Sequence, residues 1–180
     1  LIDSKYIVQI IEDIKLNFEI DEKAEITIEV NPGTVTLEKL EDYNKVGINR
    51  LSIGLQSTHE HLLKEIGRIH TYLDFLDTFR FAREAGFENI NVDLMIGLPN
   101  QTLEEVKDSI EEIVSMEPEH ISVYSLILEE NTPLFKKVEE GLELPNEDLE
   151  RKMYWAVKQT LEQNNYIHYE ISNFAKKGYE

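Results

Sequence analysis

The chain has 180 residues, 41% of them hydrophobic and 30% charged, and its 18 basic and 36 acidic residues give a net charge of −18. The length predicts one domain with enough apolar residues for a core, and the acidic balance excludes a nucleic-acid backbone as partner, since that partner needs a basic surface. The absence of cysteine excludes disulfide bonds and thiolate metal ligands.

Helix and strand patterns alternate through the first half of the chain. The apolar spacing of residues 4–18 is typical of an amphipathic helix. Ser57 and Glu60 have the spacing of a capping box, which predicts a short helix after them. The elements predicted in this half, caps included, are helices at 4–18, 36–45, 57–66 and 72–85 and strands at 25–30 and 50–55.

The alternation continues in the second half, around a segment at 128–145 that is predicted to be irregular because it holds Pro133, Gly141 and Pro145. Thr102 and Glu105 form a second capping box. The elements predicted in this half are strands at 90–96, 120–127 and 166–171 and helices at 102–116 and 146–164.

Strict alternation of helices and strands predicts an α/β fold with a parallel sheet and right-handed crossovers. The chain begins with a helix, and five strands are too few to close a barrel, which takes about eight. We therefore expect a partial, open TIM-type βα barrel with parallel strands and outer helices, as a segment of a larger barrel.

The predicted strands are apolar on one face only. A parallel sheet covered by helices on both sides has nearly continuous apolar strands, whereas here polar residues alternate with Val, Ile and Leu. Because buried polar groups need partners, this pattern favours a barrel whose outside packs on helices and whose inside binds a polar ligand. The residues that interleave with the apolar ones in the three clearest strands are Thr27, Glu29, Asn31, Ser52, Gly54, Gln56, Asn91, Asp93, Met95 and Gly97.

Functional residues of βα barrels lie at the carboxyl ends of the strands. The candidates there, each on a strand end or the loop after it, are Glu29, Asn31, Gln56, Arg68, Asp93, Tyr124 and Glu170. Carboxylates accept hydrogen bonds from ribose hydroxyls or an ammonium, an amide both donates and accepts, and an arginine pairs with a carboxylate. The set therefore predicts a ligand that carries hydroxyls, an amine and a carboxylate.

Each main candidate also has a structural interpretation. Glu29 could pair with Arg50 on the neighbouring strand, Asp93 could cap the turn after its strand, Gln56 could cap the next helix, and Arg68 could lie on the plain surface.

Other motifs do not predict a metal or phosphate site. The five histidines show no zinc-ligand spacing, and His59 and His61 would diverge on a helix. The turn at 97–102 lacks the Gly-Lys-Ser/Thr of a phosphate-binding loop, although its backbone amides could still face a ligand.

Five motifs together resemble the radical S-adenosylmethionine proteins that are similar to oxygen-independent coproporphyrinogen III oxidase. They occur in the family's order and span about residues 25–175. The motifs are Glu29–Thr34 (EVNPGT), Arg50–Ser57 (RLSIGLQS), Gly67–His70 (GRIH), Asn91–Thr102 (NVDLMIGLPNQT) and Tyr169–Ala175 (YEISNFA).

This resemblance implies a partial (β/α)6 barrel that binds S-adenosylmethionine and a [4Fe–4S] cluster at its rim. Glu29 matches a glutamate that contacts S-adenosylmethionine, and Gln56, Arg68 and Asp93 match further cofactor-binding positions. None of these four is expected to act as a catalytic acid or base or as a metal ligand.

The chain departs from the family in one major respect. The family ligates its cluster through a C-x-x-x-C-x-x-C motif, and this chain has no cysteine. We expect residues 1–175 to be a radical S-adenosylmethionine barrel without its first two strands, and residues 176–180 to begin a connection to a C-terminal domain. Such a fragment by itself would be inactive.

The motif at 31–34 also bears on function. The decarboxylating oxidases tend to have Asp-Pro-Arg-Glu there, whereas Asn-Pro-Gly-Thr resembles the branch regarded as haem chaperones. The resemblance therefore implies a parent protein that binds haem and delivers it to a recipient protein. The alternatives are an oxidase that converts coproporphyrinogen III propionates to vinyls, and an unrelated βα-barrel lyase, so the sequence leaves open whether the parent is an enzyme.

The expected ligands are thus small molecules, S-adenosylmethionine and a tetrapyrrole such as haem. No apolar run is long enough for a membrane span, and no leader sequence is recognisable. We expect a cytoplasmic protein.

Overall fold

The computed structural model describes residues 2–180, which form an open six-stranded sheet with helices on its apolar face. The strands are β1 (Thr27–Val30), β2 (Arg50–Gln56), β3 (Ile90–Ile96), β4 (His120–Ser125), β5 (Ile167–Glu170) and β6 (Asn173–Ala175). The helices are α1 (Ser4–Asn17), α2 (Leu37–Lys45), α3 (Glu60–Glu65), α4 (Tyr72–Glu84), α5 (Leu103–Ser115), α6 (Pro133–Glu139) and α7 (Glu147–Gln163).

The spatial order of the strands is β1-β2-β3-β4-β6-β5. The first four strands are parallel neighbours, as the alternating pattern predicts. The open, mostly parallel α/β architecture is therefore confirmed.

Strict parallel alternation is wrong at the C-terminal end of the chain. The segment predicted as one strand at 166–171 is the hairpin β5–β6, and β6 runs antiparallel to both β4 and β5. The carboxylate of Glu170 closes the turn between the two strands. It accepts hydrogen bonds from the backbone amide of Ser172 and from the side-chain Nδ2 of Asn173.

The core lies between the sheet and its helices. Leu51, Ile53 and Leu55 of β2 are fully buried there, and Phe75 of α4 packs in the same cluster. The apolar positions of the strands thus face the helices, as predicted, which leaves the polar positions on the opposite face. We call this opposite face the luminal face; it carries Glu29, Ser52, Gly54, Asn91, Asp93, His120 and Ser122.

The sequence predicted two capping boxes at helix starts, and one of them is correct. Thr102 and Glu105 form the predicted capping box at the start of α5. The capping box predicted at Ser57 is wrong: His59 is the N-cap of α3, and the Glu60 carboxylate instead accepts from the backbone amide of Tyr72.

The segment at 128–145 is not wholly irregular as predicted. It contains α6, which begins with Pro133 at its first position and Thr132 as a hydrogen-bonded N-cap. Proline is favoured at the first helical position because its missing N–H is not needed there.

None of the helices within residues 2–180 combines the length and apolar character that a membrane crossing requires. The expected connection at 176–180 stays a prediction.

Candidate functional site

The candidate site lies on the luminal face near the carboxyl ends of β1, β2 and β3. In the parallel register Glu29 pairs with Ser52, and Gly54 pairs with Asp93. Because cross-strand partners point to the same face of a sheet, these positions form one continuous polar surface.

Gly54 lets two amide side chains approach the backbone of β2 closely. A Cβ atom at Gly54 would lie 3.1 Å from Nε2 of Gln56 and 3.3 Å from Oδ1 of Asn31. Both amide side chains therefore converge above the glycine. Gln56 reaches this place because a bulge interrupts β2 before it and its own φ is +78°.

Arg68 joins the same cluster from the loop after α3. Its Nη1 donates to Oδ1 of Asn31 at 3.1 Å. The loop is fixed to the end of β2 because Nε2 of the buried His70 lies 3.1 Å from the carbonyl oxygen of Leu55. This anchor places the guanidinium group beside the amide of Asn31.

Asn31 is held by a tight turn at the end of β1. The backbone amide of Thr34 donates to the carbonyl oxygen of Asn31, with Pro32 and Gly33 as the central residues. Gly33 has φ of +73°, the value that the third residue of a type II turn requires. Its amide donates to Oγ1 of Thr78, which attaches the turn to α4.

Asp93 is half-buried and is held from two sides. Oγ of Ser52 donates to its Oδ2 at 3.1 Å, and Nδ2 of Asn91 donates to its Oδ1 at 2.8 Å. Burial raises the pKa of the Asp93 carboxyl, and the negative charge of Glu29 acts in the same direction, while the hydrogen bonds from Asn91 and Ser52 lower it.

A buried network continues from Asp93 toward the amino ends of the strands. Oδ1 of Asn91 lies 2.6 Å from Nδ1 of His120, and Nε2 of His120 lies 2.7 Å from the hydroxyl of Tyr169. Burial, aided by the charge of Arg50, lowers the pKa of His120 to about 4. His120 is therefore neutral at pH 7.

Of the predicted candidates, Glu29, Gln56, Arg68 and Asp93 lie in one region of the luminal face. Glu29 is on the edge strand β1, beside the Ser52 that holds Asp93. Asn31 provides the direct contact to Arg68. The structure therefore brings these side chains together, and their binding of a cofactor stays a prediction.

The structural interpretations of three candidates are wrong. Arg50 lies 3.9 Å from the carboxylate of Glu25 rather than pairing with Glu29. Asp93 bonds to its strand neighbours instead of capping the turn after β3, and Gln56 turns back to Gly54 instead of capping α3.

Two further candidates lie apart from this cluster. Glu170 is on β5, at the opposite edge of the sheet from β1, and its carboxylate closes its own hairpin. Tyr124 is exposed and pairs in register with Met95.

The turn after β3 does not offer the amide of Leu98 to a ligand. The buried side chain of Gln101 accepts from this amide at 3.1 Å and donates to the carbonyl oxygen of Met95 at 3.2 Å. Gln101 therefore stabilises the turn from within, a role that its polar character in a short loop did not reveal.

Sequence reasoning also missed the network of Asn91, His120 and Tyr169. Asn91 and His120 occupy polar positions on predicted strands, which was the signal that the sequence offered, but only the arrangement of β3, β4 and β5 in one sheet shows that they connect. Within residues 2–180 the structure has no cluster of three or more His, Cys, Asp or Glu residues suited to a metal ion.

Comparisons with known proteins show which family the chain is similar to. A family model described as the radical SAM superfamily matches residues 1–113. The chain is 45% identical over 158 residues to the heme chaperone HemW of Bacillus subtilis (strain 168), an alignment that covers 87% of the chain and 42% of that protein. It is 36% identical over 171 residues to the heme chaperone HemW of Escherichia coli (strain K12), covering 95% of the chain and 44% of that protein.

Among solved structures, the chain is similar to coproporphyrinogen III oxidase (HemN) from Escherichia coli, described as a radical SAM enzyme. The TM-score is 0.85 at 25% identity, and the match covers 98% of this chain and 41% of that chain. Methylornithine synthase (PylB) shares the fold with a TM-score of 0.66 at 20% identity, over 87% of this chain and 42% of that chain. The chain spans less than half the length of each of these proteins.

Proposed function

Because the chain belongs to the radical SAM superfamily, we propose that the luminal face holds S-adenosylmethionine and that the protein containing this chain is a haem chaperone. The family membership excludes the unrelated lyase that the sequence left open. The two parts of the proposal rest on different observations and are tested separately.

The cofactor part is supported by the donors around Gly54. Because the glycine has no Cβ atom, the amides of Gln56 and Asn31 can both lie close to the backbone of β2. In the proposal Arg68 pairs with the methionine carboxylate, and the amide of Gln56 offers both a donor and an acceptor. Glu29 and Asp93 accept hydrogen bonds from ribose hydroxyls or the ammonium. This donor set fits a zwitterionic nucleoside.

The residues of this chain do not fit a [4Fe–4S] cluster. Such clusters are held by cysteine thiolates, and the chain has no cysteine. In the superfamily, reductive cleavage of S-adenosylmethionine supplies a 5′-deoxyadenosyl radical. Since no residue here can ligate the cluster that donates the electron, we assign this chain the binding and orientation of the cofactor and no redox step.

The haem-chaperone part is supported mainly by the 45% identity to the Bacillus subtilis heme chaperone over 87% of the chain. The identity to the coproporphyrinogen III oxidase structure is 25%. In the proposal, the whole protein that contains this chain binds haem and delivers it to a recipient protein. A cytoplasmic location remains a prediction from the sequence.

The turn at Asn31 supports the same branch. Gly33 has φ of +73°, and a Cβ atom there would lie 3.4 Å from the side chain of Asp74. Side chains rarely adopt this backbone conformation, so an arginine at this position, as in the decarboxylating oxidases, would require a different turn. The alternative function is oxygen-independent oxidation of coproporphyrinogen III.

The test uses the full-length natural protein, purified anaerobically with its cluster reconstituted. Titration with haemin followed by Soret absorbance measures haem binding, and transfer to an apo-cytochrome measures delivery. Stable binding and transfer without consumption of coproporphyrinogen III are the expected results. Conversion of coproporphyrinogen III to a vinyl product with release of carbon dioxide, when S-adenosylmethionine, a reductant and a terminal electron acceptor are supplied, would instead establish the oxidase.

A further inference from the structure

Asn91 is the central residue of the buried luminal network. Its side chain is 2% exposed. Its Nδ2 donates to Oγ of Ser52 at 2.7 Å and to Oδ1 of Asp93 at 2.8 Å. Its Oδ1 accepts from His120 at 2.6 Å and from Oγ of Ser122 at 3.1 Å. All four hydrogen-bonding positions of the amide are therefore occupied.

The neighbours fix the direction of the Asn91 amide. A flipped amide would turn its oxygen toward the Asp93 carboxylate, which accepts but cannot donate when ionised. It would also turn its NH2 group toward His120. Because the neutral His120 donates from Nδ1 to Asn91, its Nε2 is the acceptor for the hydroxyl of Tyr169. The direction of every hydrogen bond in the series from Tyr169 through His120 and Asn91 to Asp93 is therefore fixed.

The series ends on the carboxylate that the cofactor proposal requires. Ser52 and Asn91 bond to different oxygens of Asp93, which fixes the plane of the carboxylate. Glu29 is the other acidic group that faces it, and Arg50 is the cation near the His120 end. If Asn91 were replaced by a residue that cannot donate, Asp93 would keep only the longer of these two hydrogen bonds, the one from Ser52.

We propose that Asn91 is a positioning residue that fixes the orientation of the Asp93 carboxylate for S-adenosylmethionine, and that His120, held by Tyr169, fixes Asn91. The inference rests on the proposed function, because it requires Asp93 to bind the cofactor. It assigns the hairpin β5–β6 a role in the site, since Tyr169 on β5 supports the far end of the series.

The test is the isosteric substitution Asn91→Asp in the full-length protein. The introduced carboxyl group keeps an oxygen for His120 and Ser122 but donates to Asp93 only when the carboxyl pair holds a proton. At low pH the pair shares that proton and reproduces the native bond, whereas at high pH the two carboxylates repel. The affinity for S-adenosylmethionine should therefore fall by about tenfold or more as pH rises from 6 to 8.5.

The wild type should lack this fall. Its affinity should drop toward acid, as Asp93 becomes protonated, and the titration of the cofactor's own amino group at about pH 8 is common to both proteins and cancels in the ratio of their affinities. Isothermal titration with S-adenosylmethionine, without reductant and at five pH values, measures both profiles. Asn17→Asp, at the exposed end of α1, adds the same charge far from the site and should keep the wild-type profile.

Two outcomes separate the inference from the proposed function. If Asp93→Asn binds S-adenosylmethionine as tightly as the wild type, the cofactor assignment itself is wrong. If Asp93→Asn loses binding while Asn91→Asp keeps the wild-type pH profile, the cofactor assignment stands and the positioning role is overturned. Should Asn91→Asp fail to fold, Asn91→Ser replaces it, with an expected affinity loss of about tenfold that an unchanged affinity would contradict.

Discussion

Arg68 donates to Asn31 across the carboxyl ends of two neighbouring strands, with 3.1 Å between Nη1 and Oδ1. The two residues come from loops that are anchored separately. The loop of Arg68 is held by the contact of His70 with the Leu55 carbonyl of β2, and Asn31 is held by the turn at Gly33. The guanidinium group is thus oriented before any ligand binds, which reduces the ordering cost of binding.

This orientation predicts the effect of Arg68→Lys. Lysine keeps the charge but cannot bond to Asn31 and a carboxylate in the fixed fork geometry of arginine. We expect the affinity of the full-length protein for S-adenosylmethionine to fall by about tenfold. The unfolding free energy should change by no more than about 1 kcal/mol. Isothermal titration measures the affinity. Arg80→Lys, on the exposed side of α4, is the control, and an equal loss in both variants would contradict a site role for Arg68.

The close approach of Gln56 and Asn31 to Gly54 predicts a binding defect for Gly54→Ala. The added methyl would lie 3.1 Å from the Gln56 amide and 3.3 Å from the Asn31 amide. Both contacts are with the ends of side chains, so the side chains can shift and the fold should tolerate the change. We expect a loss of S-adenosylmethionine affinity of about fivefold or more, because the amides leave their places, and a nearly unchanged melting temperature.

Gly33→Ala provides the contrasting variant. Gly33 has φ of +73°, so alanine there should cost about 1 kcal/mol or more of unfolding free energy. Thermal melts of both variants distinguish backbone strain from displacement of the two amides. A Gly54→Ala protein that binds normally would show that the positions of these amides do not matter for cofactor binding.

The architecture followed from the sequence because the local signals agreed. Apolar periodicity, capping boxes such as Thr102 and Glu105, and the alternation of helices and strands up to β4 all pointed to an open βα barrel. Alternation of polar residues then predicted which face of the strands would carry Glu29 and Asp93. These are period-two and period-3.6 patterns, which a single sequence displays directly.

The missed features depend on long-range pairing or on conflicting local signals. The helix α6 lies among Pro133, Gly141 and Pro145, and their turn signals outweighed the proline and Thr132 cap that begin it. The β5–β6 hairpin was missed because Ile171 and Ser172 look like a continuous strand. The partners of Asn91 are fixed only by the register of β2, β3 and β4, which no local pattern determines.

An ion pair at the opposite end of the sheet predicts a stability contribution. Arg83 of α4 binds both carboxylate oxygens of Glu119, at 2.8 and 3.0 Å, and Glu119 also accepts from the amide of Ile90. The two side chains are 31% and 13% exposed. Bidentate pairs that are shielded from solvent are stronger than surface pairs.

We therefore expect Arg83→Met or Glu119→Gln to lower the unfolding free energy by about 2–3 kcal/mol. In a double-mutant cycle the coupling energy should be about 1–2 kcal/mol, measured by urea denaturation. Arg80 and Glu84 of the same helix form the control pair, because they are 60% and 53% exposed and should couple by less than about 0.5 kcal/mol. Equal coupling in the two pairs would refute the argument from burial.

The buried His120 predicts a specific dependence of stability on pH. Its pKa is about 4 in the folded protein, against 6.5 for an ordinary histidine. Between these values the unfolded chain binds more protons at this residue than the folded chain does. The unfolding free energy therefore falls as pH decreases from about 6.5 to 4, by up to about 3 kcal/mol from this residue.

The variant His120→Gln should lack this contribution, since glutamine can still donate to Asn91 but does not titrate. The raised pKa of Asp93 acts with the opposite sign in its own range and is common to both proteins, so it largely cancels in their difference. Urea denaturation at intervals from pH 4 to 8 measures that difference. The difference in unfolding free energy between the wild type and His120→Gln should be constant above pH 7 and change steadily below pH 6.5. The control His61→Gln, at an exposed histidine that pairs with Glu105, should not show this change. A difference that stays constant down to pH 4 would mean that His120 accepts a proton in the folded protein as readily as in the unfolded chain.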